Sequence, residues 1–432
     1  MQRFWEVEEV ATVKQRTEEE SECEKHFVNT VGRDKHGRYI VRLPFRKDAI
    51  KFSGSRDVAL RRFKALERRF ANNETFEKAY KKVFDEYLEL GHMSVIKNND
   101  DTGYYMPHHP VYKESSNTTK LRIVFDASAK DMNGQSLNDL LMVGPTIQDR
   151  LISHLMRFRM YKYIITADIE KMYRQVLVHE NDRKYQQVLW RHNGNIQTFC
   201  LNTLTFGVSS SAFLAIRAIN RLAEDEGEQF PRAAEILKTH LYVDDLLTGA
   251  NTIEEARDTR DVIIKLLSRG RFTIRQWAAN DLRIIEDLPY SSIHTNFVLN
   301  LDNKLKTLGI TLNATSDNIC YTPNCIKIDG KITKRLVLSE IAKIFDPLGL
   351  LSPIILHLKH MMQTIWQAGL DWDESLPQDI HTGWMRFVDQ WGLMGPVLFD
   401  RKLLINECQK FQLHGFCDAS NIGYGACVYV RS

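Results

Sequence analysis

An acidic pair between apolar flanks, His240-Leu-Tyr-Val-Asp244-Asp245-Leu-Leu-Thr-Gly249, narrows what this chain can be more than any other stretch. Alternating apolar residues on both sides read as a β-hairpin with two adjacent carboxylates at its tip. Adjacent aspartates repel each other, and a buried hairpin carries them only beside a compensating partner. Hard divalent cations fit that need, because Mg2+ typically binds one or two carboxylates together with substrate phosphates. The plain alternative is a solvated acidic turn. Tyr-x-Asp-Asp arises by chance in roughly a few per cent of chains this long. The neighbours of the hairpin decide between the two.

A third carboxylate is placed to join the pair. Tyr163-Ile-Ile-Thr-Ala-Asp168 reads as a buried strand ending in an acid, and Ile169-Glu-Lys-Met-Tyr173 leads away as a turn or helix start. Taken alone, Asp168 reads equally well as a helix N-cap. With helices between them, this strand and the acidic hairpin make a β-α-β-β-α pattern in which strand end and hairpin tip can meet. Three carboxylates at one point can hold two cations ~3.5–4 Å apart, the arrangement that stabilises attacking and leaving oxygens in phosphoryl transfer. Lys120-Leu-Arg122-Ile-Val-Phe-Asp126 alternates basic and apolar residues, as a strand does when one edge faces phosphates. Arg122, with Lys120 or Lys113, would cover the developing negative charge. Residues 197–204 read as another strand, running into Thr205-Phe206-Gly207-Val-Ser-Ser-Ser211, a loop that feeds a helix and allows close backbone approach.

Composition sets outer bounds. The 432 residues are 43% hydrophobic and 26% charged, which is ordinary for a globular protein of two to four domains. A net charge of +3 is too small to imply a polyanionic partner by itself. Seven cysteines at scattered spacings argue for reduced thiols and an intracellular setting, and Cys320 and Cys325 make no zinc pair. The most apolar stretch, Leu348 to Leu358, is short and broken by Ser352, Pro353 and His357, so no membrane span is expected.

Along the chain, a helix is expected from Ser55 as N-cap, with Arg61, Arg62, Lys64, Arg68 and Arg69 on its outer face, and another from near Thr75 to Gly91. Pro107-His-His-Pro110 reads as a rigid loop with a structural role. Thr252-Ile-Glu-Glu255 is a capping box opening a helix that ends near Gly270. Strands are expected over 272–277 and 307–312, then helices over 336–344 and 354–366. A polar connection bearing Trp372, Trp384 and Trp391 leads to a last strand-like block at 413–430.

Taken together, these segments resemble a reverse transcriptase, and specifically the polymerase region of BEL/Pao-type LTR retrotransposon polyproteins. The resemblance rests on Phe4-Trp-Glu, Leu43-Pro-Phe, Tyr87-Leu-Glu-Leu-Gly-His92-Met, Pro107-His-His-Pro, residues 120–130, Ala167-Asp168-Ile-Glu-Lys-Met-Tyr173, Phe206-Gly207, Tyr242-Val-Asp-Asp245 and Leu338 to Pro353. It implies an α+β right-hand polymerase fold of fingers, palm, thumb and connection, with an antiparallel palm sheet. Expected ranges are an N-terminal extension at 1–54, fingers at 55–160, palm at 161–315, thumb-like helices at 316–370, connection at 371–412 and the first strands of an RNase H domain at 413–432.

The resemblance implies an RNA-directed DNA polymerase with Asp168, Asp244 and Asp245 as catalytic ligands of two Mg2+ ions, for which Mn2+ can substitute. Arg122 and Lys120 would meet the incoming triphosphate. Tyr173 would pack under its sugar and exclude a 2′-hydroxyl, and Phe206 and Gly207 would line the nucleotide pocket. Retroviral enzymes usually carry glutamine where Phe206 stands. Leu308-Gly309-Ile310 resembles the primer grip. Implied partners are dNTPs, an RNA or DNA template with its primer, and other parts of the polyprotein, in an intracellular, cytoplasmic particle and away from membranes. Asp418 resembles a residue of the first RNase H strand. One carboxylate cannot make that site, so RNase H activity is expected to be absent and the piece to be truncated. Two rivals remain: a catalytically weak copy that only binds nucleic acid, and a metal-dependent nuclease, which needs neither Tyr173 nor the pocket loop.

Overall fold

The computed structural model describes residues 16–46, 52–96, 103–112, 121–294, 304–328, 330–403 and 410–431. Two compact units alternate along the chain: 1–148 with 169–238 and 264–273 form the first, and 149–168 with 239–263 and 274–432 form the second.

The first unit is organised by two helices over an aromatic core. Ser55–Ala71 buries Ala59, Phe63, Leu66 and Phe70, a four-three-four spacing that leaves the expected cations exposed on the opposite face. Its N-cap is Gly54, at φ +68°, rather than Ser55. Ser55 lies inside the first turn, where its hydroxyl accepts the Tyr105 N–H at 3.2 Å. The next helix, Glu74–Glu89, is capped by Asn73 and buries Phe76, Tyr80, Phe84 and Tyr87. Phe84 stacks on Trp190 with ring centroids 4.2 Å apart and planes 10° from parallel.

His108 is fully enclosed in this core. Its Nε2 lies 2.9 Å from the Leu189 carbonyl and its Nδ1 2.6 Å from the Tyr80 hydroxyl. A carbonyl can only accept, so Nε2 carries the hydrogen and Nδ1 accepts from tyrosine. Burial pushes the imidazole down to about 4, which keeps it neutral. His108 therefore has a structural role, as the flanking prolines suggest, but it opens a strand, His108–Tyr112, instead of a loop. That strand pairs antiparallel with Leu121–Phe125. A three-stranded antiparallel sheet of Met93–Val95, Asn195–Leu201 and Gln187–His192 completes the frame. An additional helix, Glu18–Thr30, stands in the range expected as an N-terminal extension.

In the second unit, a four-stranded sheet has the order Leu241–Tyr242, Asp245–Ala250, Tyr163–Ile169, Ile274–Ala279. A second sheet is an antiparallel meander of Lys304–Thr307, Ile310–Asn313 and Asn318–Tyr321, joined by Val397–Asp400. The strand expected over 307–312 is thus a hairpin, because Leu308 and Gly309 both take positive φ and turn the chain. Helices Lys334–Ile341 and Ser352–Gln367 appear as expected. The polar connection contains a third helix, Gln378–Leu393, whose Ile380, Trp384, Phe387 and Trp391 recur at helical spacing and close a core with Leu358, Met362 and Ile365. Arg401, 0% exposed, ties the end of the meander to the root of the Tyr163–Ile169 strand. Its guanidinium donates to both Asp317 carboxylate oxygens at 2.6 and 2.7 Å and to the Phe158 and Tyr161 carbonyls at 2.9 Å each. The hairpin Gln412–Ala419 with Tyr424–Arg431 is exposed on both faces. No described helix is long and apolar enough to cross a membrane.

Candidate active site

The carboxylates meet by strand register. Tyr163–Ile169 is an inner strand, and its antiparallel ladder with Asp245–Ala250 runs from Ala250 opposite Tyr163 to Asp245 opposite Asp168. Directly opposed residues place their side chains on one face within reach of each other, and two like charges so placed are unfavourable. The ladder can come this close at its far end because residue 249 is glycine. A Cβ there would collide with the Tyr163 carbonyl and lie 2.6 Å from Tyr161 Cβ.

Asp244 occupies the turn of the hairpin, between Tyr242 and its ladder partner Asp245. Val243, the other turn residue, has φ +57°, which is costly for a β-branched side chain and is retained here beside the acids. All three aspartates are half-buried. Burial, and then the nearby Asp244 charge, push the Asp245 carboxyl up to about 7. Behind the hairpin, His240 Nδ1 bonds the Thr248 hydroxyl at 2.9 Å, and His154 packs edge-on to Tyr242 with centroids 5.4 Å apart. Burial lowers both imidazoles, His240 to about 4, so they back the hairpin as neutral rings.

Among the described residues, no three acidic, histidine or cysteine side chains form a ready-made metal cage. The donor set nevertheless suits a hard cation: oxygen ligands only, two of them cross-strand neighbours, one held near half-protonation by burial and then by repulsion from Asp244, both of which a cation would offset.

The residues expected to meet the nucleotide belong to the first unit. Arg122 is exposed on Leu121–Phe125, while Leu121, Ile123 and Phe125 are buried, so the alternation of the sequence holds. Lys120 and Lys113 lie outside the described residues. Tyr173 sits in a 3-10 turn, Met172–Gln175, with its ring centroid 4.6 Å from that of Phe206. Gly207 has φ +101°, and any Cβ there would strike the Phe125 carbonyl. Tyr173, Phe206 and Gly207 are therefore together, at the end of the strand that bears Arg122.

One feature of this region is absent from the sequence reading. The Tyr173 turn begins at Lys171, at φ +50°, and is braced by Glu86. Glu86 Oε1 takes Lys171 Nζ at 2.6 Å and Arg174 NH1 at 3.1 Å. Burial works to raise the Glu86 carboxyl, but the two cations prevail and hold it below the usual range. Arg38 donates to the carbonyls of Arg174 and Gln175 at 2.5 and 2.8 Å. Partners so distant in sequence leave no local signal.

Comparison with known proteins bears on both units. Residues 99–277 match the family model described as reverse transcriptase (RNA-dependent DNA polymerase), a range that includes Asp168, Asp244, Asp245, Arg122, Lys120, Tyr173, Phe206 and Gly207. Residues 333–432 match the Pao retrotransposon-like RNaseH-like domain, a range that also takes in residues read above as thumb-like helices and connection. No curated protein matches. Among solved structures, the foamy viral protease-reverse transcriptase in complex with RNA/DNA hybrid is similar at TM-score 0.51 and 15% identity, covering 83% of this chain and 43% of that one. The same foamy viral protein in a dRH form, in complex with dsDNA, gives TM-score 0.47 at 15% identity, covering 81% and 55%. The chain thus spans less than half the length of the first of these, and the likeness places it in the α+β right-hand polymerase fold.

Proposed function

We propose that this chain, which belongs to the reverse transcriptases of Pao-like retrotransposons, is an RNA-directed DNA polymerase acting by template-directed nucleotidyl transfer. Asp168, Asp244 and Asp245 would hold two Mg2+ ions, or Mn2+ in their place. Bound there, the cations would favour ionisation of a primer 3′-hydroxyl and offset charge on the triphosphate. Asp168 and Asp245 contribute a pair of opposed carboxylates on neighbouring strands, and Asp244 a third acid from the strained turn. Arg122, with Lys120, donates hydrogen bonds to the triphosphate. Tyr173 fills the space a 2′-hydroxyl would need, and Phe206 and Gly207 line the pocket beside it. The partners are dNTPs and a primed RNA or DNA template; the similar foamy viral protease-reverse transcriptase is in complex with an RNA/DNA hybrid. The chain would work with the rest of its polyprotein in a cytoplasmic particle. Free thiols at Cys23, Cys200, Cys320, Cys325, Cys417 and Cys427 agree with that setting.

The observation that carries this reading is the pairing of Asp168 with Asp245 across the ladder, with the Asp245 carboxyl pushed up to about 7. A fold that opposes two carboxylates in this way gains from a divalent cation. The domain ranges given above, from fingers at 55–160 to connection at 371–412, complete the proposal.

Primer extension on an RNA template with dNTPs, in Mg2+ and separately in Mn2+, tests it. Wild type should extend. Asp244→Asn should not, while keeping its affinity for the primed duplex. A folded, duplex-binding wild type that never extends would instead support a nucleic-acid-binding relic.

A further inference from the structure

We propose that Asn138 is a positioning residue for nucleotide selection, its side-chain amide fixing the turn that presents Phe206 against Tyr173. The inference deepens the polymerase reading and rests on it for its consequence, but not for its geometry. Asn138 lies in the short helix Leu137–Leu140, itself capped by Ser136 and Asp139. Its backbone N–H donates to the Ala127 carbonyl at 3.1 Å. Its Nδ2 donates to the Gly207 carbonyl and to the Ser128 hydroxyl, both at 2.8 Å, and its Oδ1 accepts the Ser209 N–H at 2.9 Å. One amide thus takes an acceptor and a donor from the same loop, two residues apart, much as a neighbouring strand would.

The loop needs such an anchor. Phe206 is 53% exposed, and its described ring contact is Tyr173, with planes tilted by 40°. Gly207 presses backbone to backbone on the Phe125 carbonyl at a φ that only glycine takes easily. A turn of this kind, left to itself, has other conformations open to it. Bonds on both sides of Val208 select one, and the orientation of the Phe206 ring follows. Tyr173 is braced separately by Glu86 through Lys171 and Arg174. The two rings are therefore set by two separate polar clamps, and Asn138 is the one that acts through hydrogen bonds alone.

The substitutions Asn138→Ala and Asn138→Asp separate this role from a general structural one. Alanine removes all three side-chain bonds. Aspartate keeps the acceptor for Ser209, loses the donor, and sets a carboxylate against the Gly207 carbonyl. On protonation it regains a donor. Asn138→Ala should raise the KM for dNTPs and lower dNTP-over-rNTP discrimination, each by about tenfold, while kcat at saturating dNTP changes less than about threefold. A carboxyl with the ordinary aspartate value of about 3.9 stays ionised from pH 8 to pH 6, so Asn138→Asp should show the same loss at both. Asp126, Asp139, Lys130 and Arg62 are the charged groups on the adjoining segments, ion-paired as Arg62 with Asp126 and Lys130 with Asp139, and are common to all variants. Ratios to wild type at each pH therefore remove their contribution. Hydrogen exchange supplies a readout without activity: the Ser209 amide should lose protection in Asn138→Ala. Unchanged protection at Ser209 overturns the clamp. Lost protection with unchanged KM and sugar discrimination overturns its role in selection. A wild type that extends no primer overturns the polymerase reading instead, and the exchange result then decides the clamp alone.

Discussion

Asp245→Asn should make the metal-free protein more stable at neutral pH, an unusual result for a residue proposed to bind metal. Burial and the Asp244 charge move the Asp245 carboxyl from its ordinary 3.8 to about 7. At ~1.4 kcal/mol per pH unit, this corresponds to a ceiling of about 4 kcal/mol of destabilisation once the group is ionised. The side chain keeps some contact with solvent, so about 2 kcal/mol is the expected size. The sign follows from proton binding. Between pH 3.8 and about 7 the folded chain holds this proton and the unfolded chain does not. The contribution is therefore fully present below 3.8 and lost as the pH rises through 7. Asparagine never ionises and escapes the loss. His92, His108 and His240, each lowered to about 4, give wild type and variant the same opposite trend, and the difference between the two proteins cancels it.

Thermal melts in EDTA from pH 5 to 8.5 should show the variant's advantage growing with pH, to about 4–8 °C at pH 8. Titrating Mg2+ at pH 8 should then raise the wild-type midpoint and leave that of the variant nearly still. A variant less stable than wild type at pH 8 without metal would refute the reasoning. So would a difference that ignores pH. Either result would mean that the Asp245 carboxylate is already satisfied within the protein and is not held in readiness for a cation.

Three further outcomes test other parts of the structure. Arg401→Met should destabilise the second unit by about 3–5 kcal/mol in urea unfolding, because Asp317 and the Phe158 and Tyr161 carbonyls lose their buried partner; a loss below about 1 kcal/mol would remove the latch from the account. Gly249→Ala should cost about 1–3 kcal/mol by forcing the strand off the Tyr163 carbonyl, and should weaken Mg2+ binding with it; unchanged melting would show that the ladder has room there. Tyr173→Ala should raise rNTP incorporation about tenfold or more, and unaltered sugar discrimination in single-nucleotide extension would sink its assigned role.

The elements whose pattern is self-contained were legible in the sequence. The acidic hairpin, the strand ending in Asp168 and the helix Ile253–Arg269, with its Thr252 cap, each announce themselves by period and punctuation. Lone segments whose fate depends on a distant partner were not. Residues 307–312 look like one strand until two positive φ angles fold them back. Trp384 and Trp391 look like part of a polar linker until Ile380 and Phe387 are counted with them as one buried face. At the site, Asp168, Asp244 and Asp245 are marked by residue type and spacing. Glu86 and Arg401 act through partners at least 84 positions away in the chain, and no local window contains both ends.

The alternation of the two units along the chain has a consequence in time. The strand that bears Asp168 is synthesised early, yet the residue that pins its root is Arg401. At ~5–20 residues per second, translation leaves that strand waiting on the order of tens of seconds for its last support. Its Ile164-Ile165 run has to be sheltered meanwhile, by transient contacts or by a chaperone. The delay also acts as a timer: a nascent chain holds the acids of the candidate site, but not the finished support beneath them, until Arg401 has been read.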